Sequence, residues 1–65
     1  MQELIDFRNT LIREINAGWY DALSWQACAV WAREIGCYSI QSQVEGYIRH
    51  YGGHERWLNA GVVNR

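Results

Sequence analysis

The sequence contains no proline and no lysine, and only two of its 65 residues are cysteines. Without proline, the ends of helices must be set by glycine, which occurs six times, and by capping side chains. All six cations are arginines, and the formal net charge is −1. This balance gives no overall electrostatic attraction to nucleic acid or to an anionic membrane, so both are disfavoured as partners.

Long apolar runs are absent as well. No stretch reaches the roughly eighteen consecutive apolar residues that a membrane-spanning helix needs. Residues 1–10 lack the basic segment and the following apolar run of a signal peptide. We therefore expect a cytoplasmic protein with no membrane partner, of the kind that phages and plasmids encode.

Aromatic residues, by contrast, are abundant: four Trp, four Tyr and one Phe. A chain of this length buries only about 60% of its surface on folding, and hiding all nine rings would take on the order of a quarter of that area. Chains this small usually gain stability from disulfides, a metal or an oligomer. We therefore expect some rings at the surface, in a contact between chains.

Apolar residues recur at helical spacing and predict an all-α fold. We expect a single domain over residues 1–65, folded as a compact bundle of three main helices with a short fourth helix before Gly61. The main helices are predicted at about residues 2–17, 21–36 and 39–51, where glycines follow or end each pattern. Asp21, with Ser24 as a second candidate, and Ser39 are the predicted N-caps.

The first and third helices each carry one apolar face, which we expect to point into the core. The face of the first helix consists of Leu4, Ile5, Phe7, Leu11, Ile12 and Ile15. The face of the third helix consists of Ile40, Val44, Tyr47, Ile48 and Tyr51.

The second helix carries two apolar seams, which predict two neighbours. One seam comprises Cys28, Trp31 and Ile35, flanked by Trp25 and Ala32. The other seam comprises Leu23, Ala27 and Val30. Either both neighbours are the other helices of the same chain, or the second seam binds another copy and makes a homodimer.

Cys37, His50 and His54 have the spacing of the second half of a zinc finger. The preceding cysteine, Cys28, is nine positions earlier, which corresponds to about 13 Å along a helix. Two thiolates on one zinc lie within about 4.6 Å of each other. We therefore expect no metal, no other cofactor and no disulfide between the two cysteines.

Enzyme chemistry has little support in the sequence. Cys37 stands just before the third helix, but no paired carboxylates, phosphate loop or oxyanion site accompany it. A domain of this size also leaves little room for a substrate pocket of several hundred Å³. We expect a protein that is not an enzyme.

Residues 31–49 resemble the two helices of a helix-turn-helix, since Ala32 and Gly36 have the Ala-x3-Gly relation of that motif. The motif expects an apolar residue six positions after the glycine, where this chain has Ser42 instead. The resemblance implies a DNA-binding transcriptional regulator that reads DNA with the third helix. The residues that would face the groove are Gln41, Ser42, Gln43 and Arg49.

The favoured interpretation is a small non-enzymatic protein-binding module, an inhibitor or adaptor that occupies the surface of a host protein. Trp, Tyr and Arg dominate the energetics of such contacts, so we look for them at the surface. The predicted partner-binding residues are Trp19, Tyr20, Trp25, Arg33 and Trp57. DNA binding is the alternative, and a seam of Leu23, Ala27 and Val30 is predicted to form the homodimer.

Overall fold

The computed structural model describes residues 1–52. This part of the chain contains three α-helices followed by a π-helical turn, so the predicted all-α fold is confirmed. The elements are α1 (Gln2–Asn16), α2 (Ala22–Glu34), α3 (Tyr38–Tyr47) and the π-helical turn (Ile48–Gly52). The predicted short C-terminal helix lies in residues 53–65, outside the described residues.

Glycine ends the first two helices, as its spacing predicts. Gly18 has a φ of +90°, the left-handed conformation that a residue with a Cβ rarely adopts. The chain then closes α1 with a Schellman motif, in which the Trp19 amide donates to the Glu14 carbonyl at 2.8 Å and the Gly18 amide to the Ile15 carbonyl at 3.0 Å. Gly36, with a φ of +78°, ends α2 in the same way.

The predicted N-cap of α2 is confirmed. The Asp21 carboxylate accepts a hydrogen bond from the Leu23 amide at 3.2 Å. It also accepts one from the Ser24 hydroxyl at 2.9 Å. Asp21 therefore satisfies one of the amides that the first turn of a helix leaves without a partner.

The predicted N-cap of α3, Ser39, is wrong by two residues. The N-cap is Cys37, which makes no side-chain capping hydrogen bond, and Ser39 lies inside the helix. The tight turn at Gly36 already brings the Cys37 carbonyl into the helix, where it accepts from the Gln41 amide at 3.0 Å. The backbone turn has replaced the side-chain cap that Ser39 was expected to supply.

After Tyr47 the helix widens into the π-helical turn. Gly52 closes this turn against the Tyr20 side chain, so closely that a Cβ at position 52 would collide with the Tyr20 hydroxyl. The last part of the third helix is thus π-helical, and it still keeps Ile48 and Tyr51 packed on the core.

The core contains the predicted inward faces of α1 and α3, and this expectation is confirmed. Its buried residues come from all three helices and from the loop between α1 and α2. They are Leu4, Leu11, Ile15, Tyr20, Trp25, Cys28, Ala32, Ile40 and Val44. Around them pack the partly buried residues of the predicted faces: Ile5, Phe7, Ile12, Tyr47, Ile48 and Tyr51.

Four aromatic rings, Tyr20, Trp25, Tyr47 and Tyr51, form an aromatic cluster at one end of the core. The closest pair is Trp25 on Tyr47, with ring centroids 4.8 Å apart. Tyr20 stacks against both Trp25 at 6.2 Å and Tyr51 at 6.3 Å. Stacked aromatic pairs stabilise a fold beyond the free energy of burying their apolar area, so the cluster holds the loop between α1 and α2, helices α2 and α3 and the π-helical turn together.

Among the described helices, none is both long and apolar enough to cross a membrane.

Candidate protein-binding face

The second helix buries one side and leaves the other in solvent. Its inward side is centred on Trp25, Cys28 and Ala32, which are all fully buried. With this side α2 contacts α1, α3 and the π-helical turn. Of the two alternatives that the sequence leaves open, coverage of both seams by helices of the same chain is not seen within residues 1–52, where Leu23, Ala27 and Val30 are exposed.

The predicted dimer seam is the exposed side. Leu23 is 79% exposed and Val30 is 43% exposed, with Ala27 exposed between them. Helical spacing places these three residues roughly opposite Cys28 and Trp25, because residues four and seven apart share a face. The seam thus points away from the core.

Two further apolar residues extend the seam. Trp31 is 38% exposed and Ile35 is 48% exposed, although both belong to the seam of Cys28 that is predicted to pack against a neighbouring helix. The buried stripe is turned toward Trp25, so these two side chains lie at its edge. Trp31 rests against Phe7 of α1, with ring centroids 6.1 Å apart.

Together these side chains line an open groove along α2, which we name the α2 face. Its members are Leu23, Gln26, Ala27, Val30, Trp31, Glu34 and Ile35. Six large hydrophobic side chains are exposed in residues 1–52, and four of them (Leu23, Val30, Trp31 and Ile35) belong to this face. Scattered exposed hydrophobic residues need no explanation, whereas large contiguous apolar patches are typical of interaction surfaces.

Sequence reasoning missed Trp31 and Ile35 as surface residues. The apolar patterns of the two neighbouring helices indicate that some side chains of α2 must stay exposed. Helices α1 and α3 each offer a single apolar face, and one such face cannot also wrap the far side of α2. A helix that is apolar on most sides then keeps part of its apolar surface uncovered.

Two of the predicted partner-binding residues are buried. Tyr20 is 1% exposed and Trp25 is 0% exposed, so the expectation that they lie at the surface is wrong. The physical reason is the aromatic cluster, in which each ring stacks on others. Trp19 is half-buried and Arg33 is exposed, while Trp57 lies outside the described residues.

The candidate DNA-reading residues lie on α3 and its continuation. Ser42, Gln43 and Arg49 are exposed, and Gln41 is half-buried. Two of these side chains already have partners within the chain. Gln41 donates to the Glu45 carboxylate at 3.1 Å, and the Gln43 carbonyl oxygen accepts from the Arg8 guanidinium at 2.9 Å.

The cysteines have different surroundings, and both are free thiols. Cys28 is completely buried, and burial raises its pKa above the ordinary value, with the nearby Arg8 charge opposing that rise to a lesser extent. Cys37 is half-buried, and its Sγ lies 3.9 Å from the Ser39 hydroxyl. Residues 1–52 contain no group of three or more His, Cys, Asp or Glu side chains placed to hold a metal ion, and His54 is beyond that range.

Comparisons of the chain with protein-family models, with curated proteins and with solved structures find no match. Function therefore has to be inferred from the surface of this chain itself.

Proposed function

We propose that the chain is a non-enzymatic protein-binding module, and that its α2 face covers an apolar helical surface of another protein chain. The observation that carries this proposal is the concentration of three large exposed hydrophobic side chains on α2 and a fourth, Ile35, at its C-cap. A molecule of this kind acts by occupying a surface, as an inhibitor or an adaptor. That the covered protein is a host factor stays a prediction, as does a cytoplasmic location.

The energetics favour binding through this face. Burying a fully exposed leucine, valine or isoleucine side chain is worth roughly 1.5–3 kcal/mol. Leu23 contributes most because it is almost fully exposed, and Trp31 is of the residue type that most often dominates an interface. Gln26 and Glu34 are polar members of the same groove, as expected for a surface that must also meet water.

Charge argues against the alternative of a DNA-binding regulator. Neutralisation of phosphates by Lys and Arg supplies most of the affinity for DNA. Arg49 is the arginine on the predicted reading helix, and Glu45 lies one turn before it. DNA reading by Gln41, Ser42, Gln43 and Arg49 stays a prediction.

Photo-crosslinking in living cells tests the proposal. A photoreactive amino acid replaces Val30 in one chain and Ser42 in a matched control, since both positions are exposed but lie on different helices. We expect a covalent adduct with a protein chain from position 30 and none from position 42. The adduct should disappear when Leu23→Asp is added, because the charge disrupts the same face.

A gel shift at low salt separates the two functions. A DNA-binding regulator would retard random duplex DNA at about 50 mM salt and lose affinity steeply by about 200 mM. The proposal expects no retardation at micromolar protein. Retardation together with adducts to nucleic acid from position 42 would refute it.

A further inference from the structure

We infer that the chain covering the α2 face is a second copy of this protein, bound by antiparallel pairing of two α2 helices about a two-fold axis. This inference rests on the proposed function, because it names the partner of the same face. The argument has three parts: the spacing of the seam, the position of one carboxylate and the area available.

The spacing of the exposed seam is that of a coiled coil. Leu23, Ala27, Val30 and Glu34 follow one another at intervals of four, three and four residues. This alternation keeps a narrow stripe facing a second helix, with one side chain per turn inserting between those of the partner. The stripe therefore fits another helix that carries the same stripe.

An antiparallel pairing makes the stripe self-complementary. With the two-fold axis between positions 28 and 29, Ala27 lies opposite Val30 of the partner subunit, and the symmetry repeats that pair. A small residue then faces a larger one in both central layers, which lets the helix backbones approach closely. Leu23 lies opposite Glu34 of the partner subunit at each end.

The charge of Glu34 selects this direction. Glu34 is exposed at the last residue of α2, and Leu23 is the second residue of that helix. The antiparallel pairing sets the two Glu34 carboxylates about 16 Å apart along the helices, each near an α2 N-terminus that already carries the Asp21 cap. A parallel pairing would set the two Glu34 carboxylates opposite each other, where like charges repel.

The available area fits a reversible dimer. The thirteen residues of α2 span about 20 Å at 1.5 Å per residue, and a helix is about 10–12 Å wide. A contact of that size, with Trp31 and Ile35 at its border, buries on the order of several hundred Å² per chain. Such an interface is at the low end for specific complexes, so we expect dissociation in roughly the micromolar range.

Sedimentation equilibrium from about 1 μM to about 1 mM tests the dimer. We expect the 7.6 kDa chain to shift toward twice that mass as its concentration rises. Val30→Asp should weaken the dimer at least tenfold and leave the helical circular dichroism unchanged, because Val30 is exposed and outside the core. Ser42→Asp, on another helix, should dimerise like the wild type. A wild-type monomer at 1 mM would overturn the inference.

Disulfide trapping tests the direction. In a Cys37→Ser background, chains carrying Leu23→Cys are mixed with chains carrying Glu34→Cys under mild oxidation. We expect the mixed disulfide to form at least tenfold faster than either chain links to its own kind, because positions 23 and 34 face each other. Faster linking of Leu23→Cys chains to one another, in which both Glu34 carboxylates are kept, would show a parallel pairing and overturn the inference.

The crosslink formed from position 30 distinguishes failure of the dimer inference from failure of the proposed function. An adduct at twice the chain mass supports the inference. An adduct with a different protein, from a chain that sediments as a monomer, overturns the inference and leaves the proposed function standing. A link from position 30 to residues 53–65 of the same chain would overturn both, because the chain would then be covering its own face.

Discussion

Gly46 in α3 and Gly52 at the end of the π-helical turn differ in how much space a side chain would have. Gly52 packs on the Tyr20 side chain, and a Cβ there would collide with the hydroxyl group. At Gly46 a Cβ would meet only the end of the Arg49 side chain, 3.9 Å away. Gly52 is therefore needed for the close packing against Tyr20, whereas Gly46 only lowers the helix propensity of its segment.

Alanine substitutions at these two glycines should have opposite effects. Gly52→Ala should lower the free energy of unfolding by about 1–3 kcal/mol, the usual range for overpacking. Gly46→Ala should raise it by up to about 1 kcal/mol, because alanine is the better helix former. Urea denaturation followed by circular dichroism measures both. Stabilisation by Gly52→Ala would contradict the packing against Tyr20.

The two thiols should react very differently. A thiol reagent should modify about one cysteine per chain in the native protein and both in denaturant, because Cys28 is completely buried and burial raises the pKa of its thiol. With a reagent that releases a chromophore when it reacts, the absorbance gives the number of modified cysteines per chain. In Cys37→Ser, labelling of the native protein should fall close to zero, and rapid labelling of that variant would mean that Cys28 is accessible.

Tyr20 should make the fold sensitive to alkali. Burial, with a smaller contribution from the negative charge of Asp21, raises the pKa of Tyr20 above the ordinary value of about 10. Since the unfolded chain loses this proton first, the stability that Tyr20 contributes is complete below about pH 10 and is lost as the pH rises through the pKa in the folded protein. The free energy of unfolding measured from about pH 8 to pH 11 should fall less in Tyr20→Phe than in wild type.

At the scale of elements, α2 is defined by its two ends. Asp21 caps its first turn, and Gly36 permits the left-handed turn after its last residue. Asp21→Ala should lower the free energy of unfolding by about 1 kcal/mol, because the Leu23 amide loses its acceptor. Asp21→Asn keeps an acceptor oxygen and should cost clearly less. Equal losses in thermal or urea unfolding would show that the charge matters more than the hydrogen bond.

The helices around α2 explain why it keeps an exposed face. Helix α1 buries Leu4, Leu11 and Ile15, and α3 buries Ile40 and Val44, so each helix has a single inward row. Both rows meet the same side of α2, the side of Trp25, Cys28 and Ala32. In the described part of the chain, the opposite side has no apolar helix to pack against.

At the scale of the whole molecule, the inferred dimer adds stability that depends on concentration. Mass action favours the associated folded state, so the melting temperature should rise with protein concentration between about 1 μM and 1 mM. Val30→Asp should show the same rise only at concentrations at least tenfold higher, because its dimer is at least tenfold weaker. Differential scanning fluorimetry measures the melting temperature at the low end of this concentration range, and calorimetry measures it at the high end. A melting temperature independent of concentration in the wild type would argue against the dimer.

A dimer on the α2 face also changes how a host protein could bind. The face can be covered by only one chain at a time, so a host protein would compete with the second copy. Partner binding would then be strongest at protein concentrations where the chain is monomeric.

Local sequence signals determined the elements and most of the core. Helical spacing identified the inward rows of α1 and α3, the glycines at 18 and 36 set two helix ends, and Asp21 marked a helix start. These features depend on contacts within a few residues along the chain. For that reason they can be read without knowing how the helices pack.

Tertiary structure alone decided which side of α2 faces water. Periodicity shows that Trp25 and Trp31 lie on different parts of one helix, but it does not show where the neighbouring helices will lie. In the folded chain Trp25 joins a stack with Tyr20 and Tyr47, while Trp31 lies at the edge of the core. Exposure depends on contacts between residues far apart in sequence, and these are set only when the helices pack together.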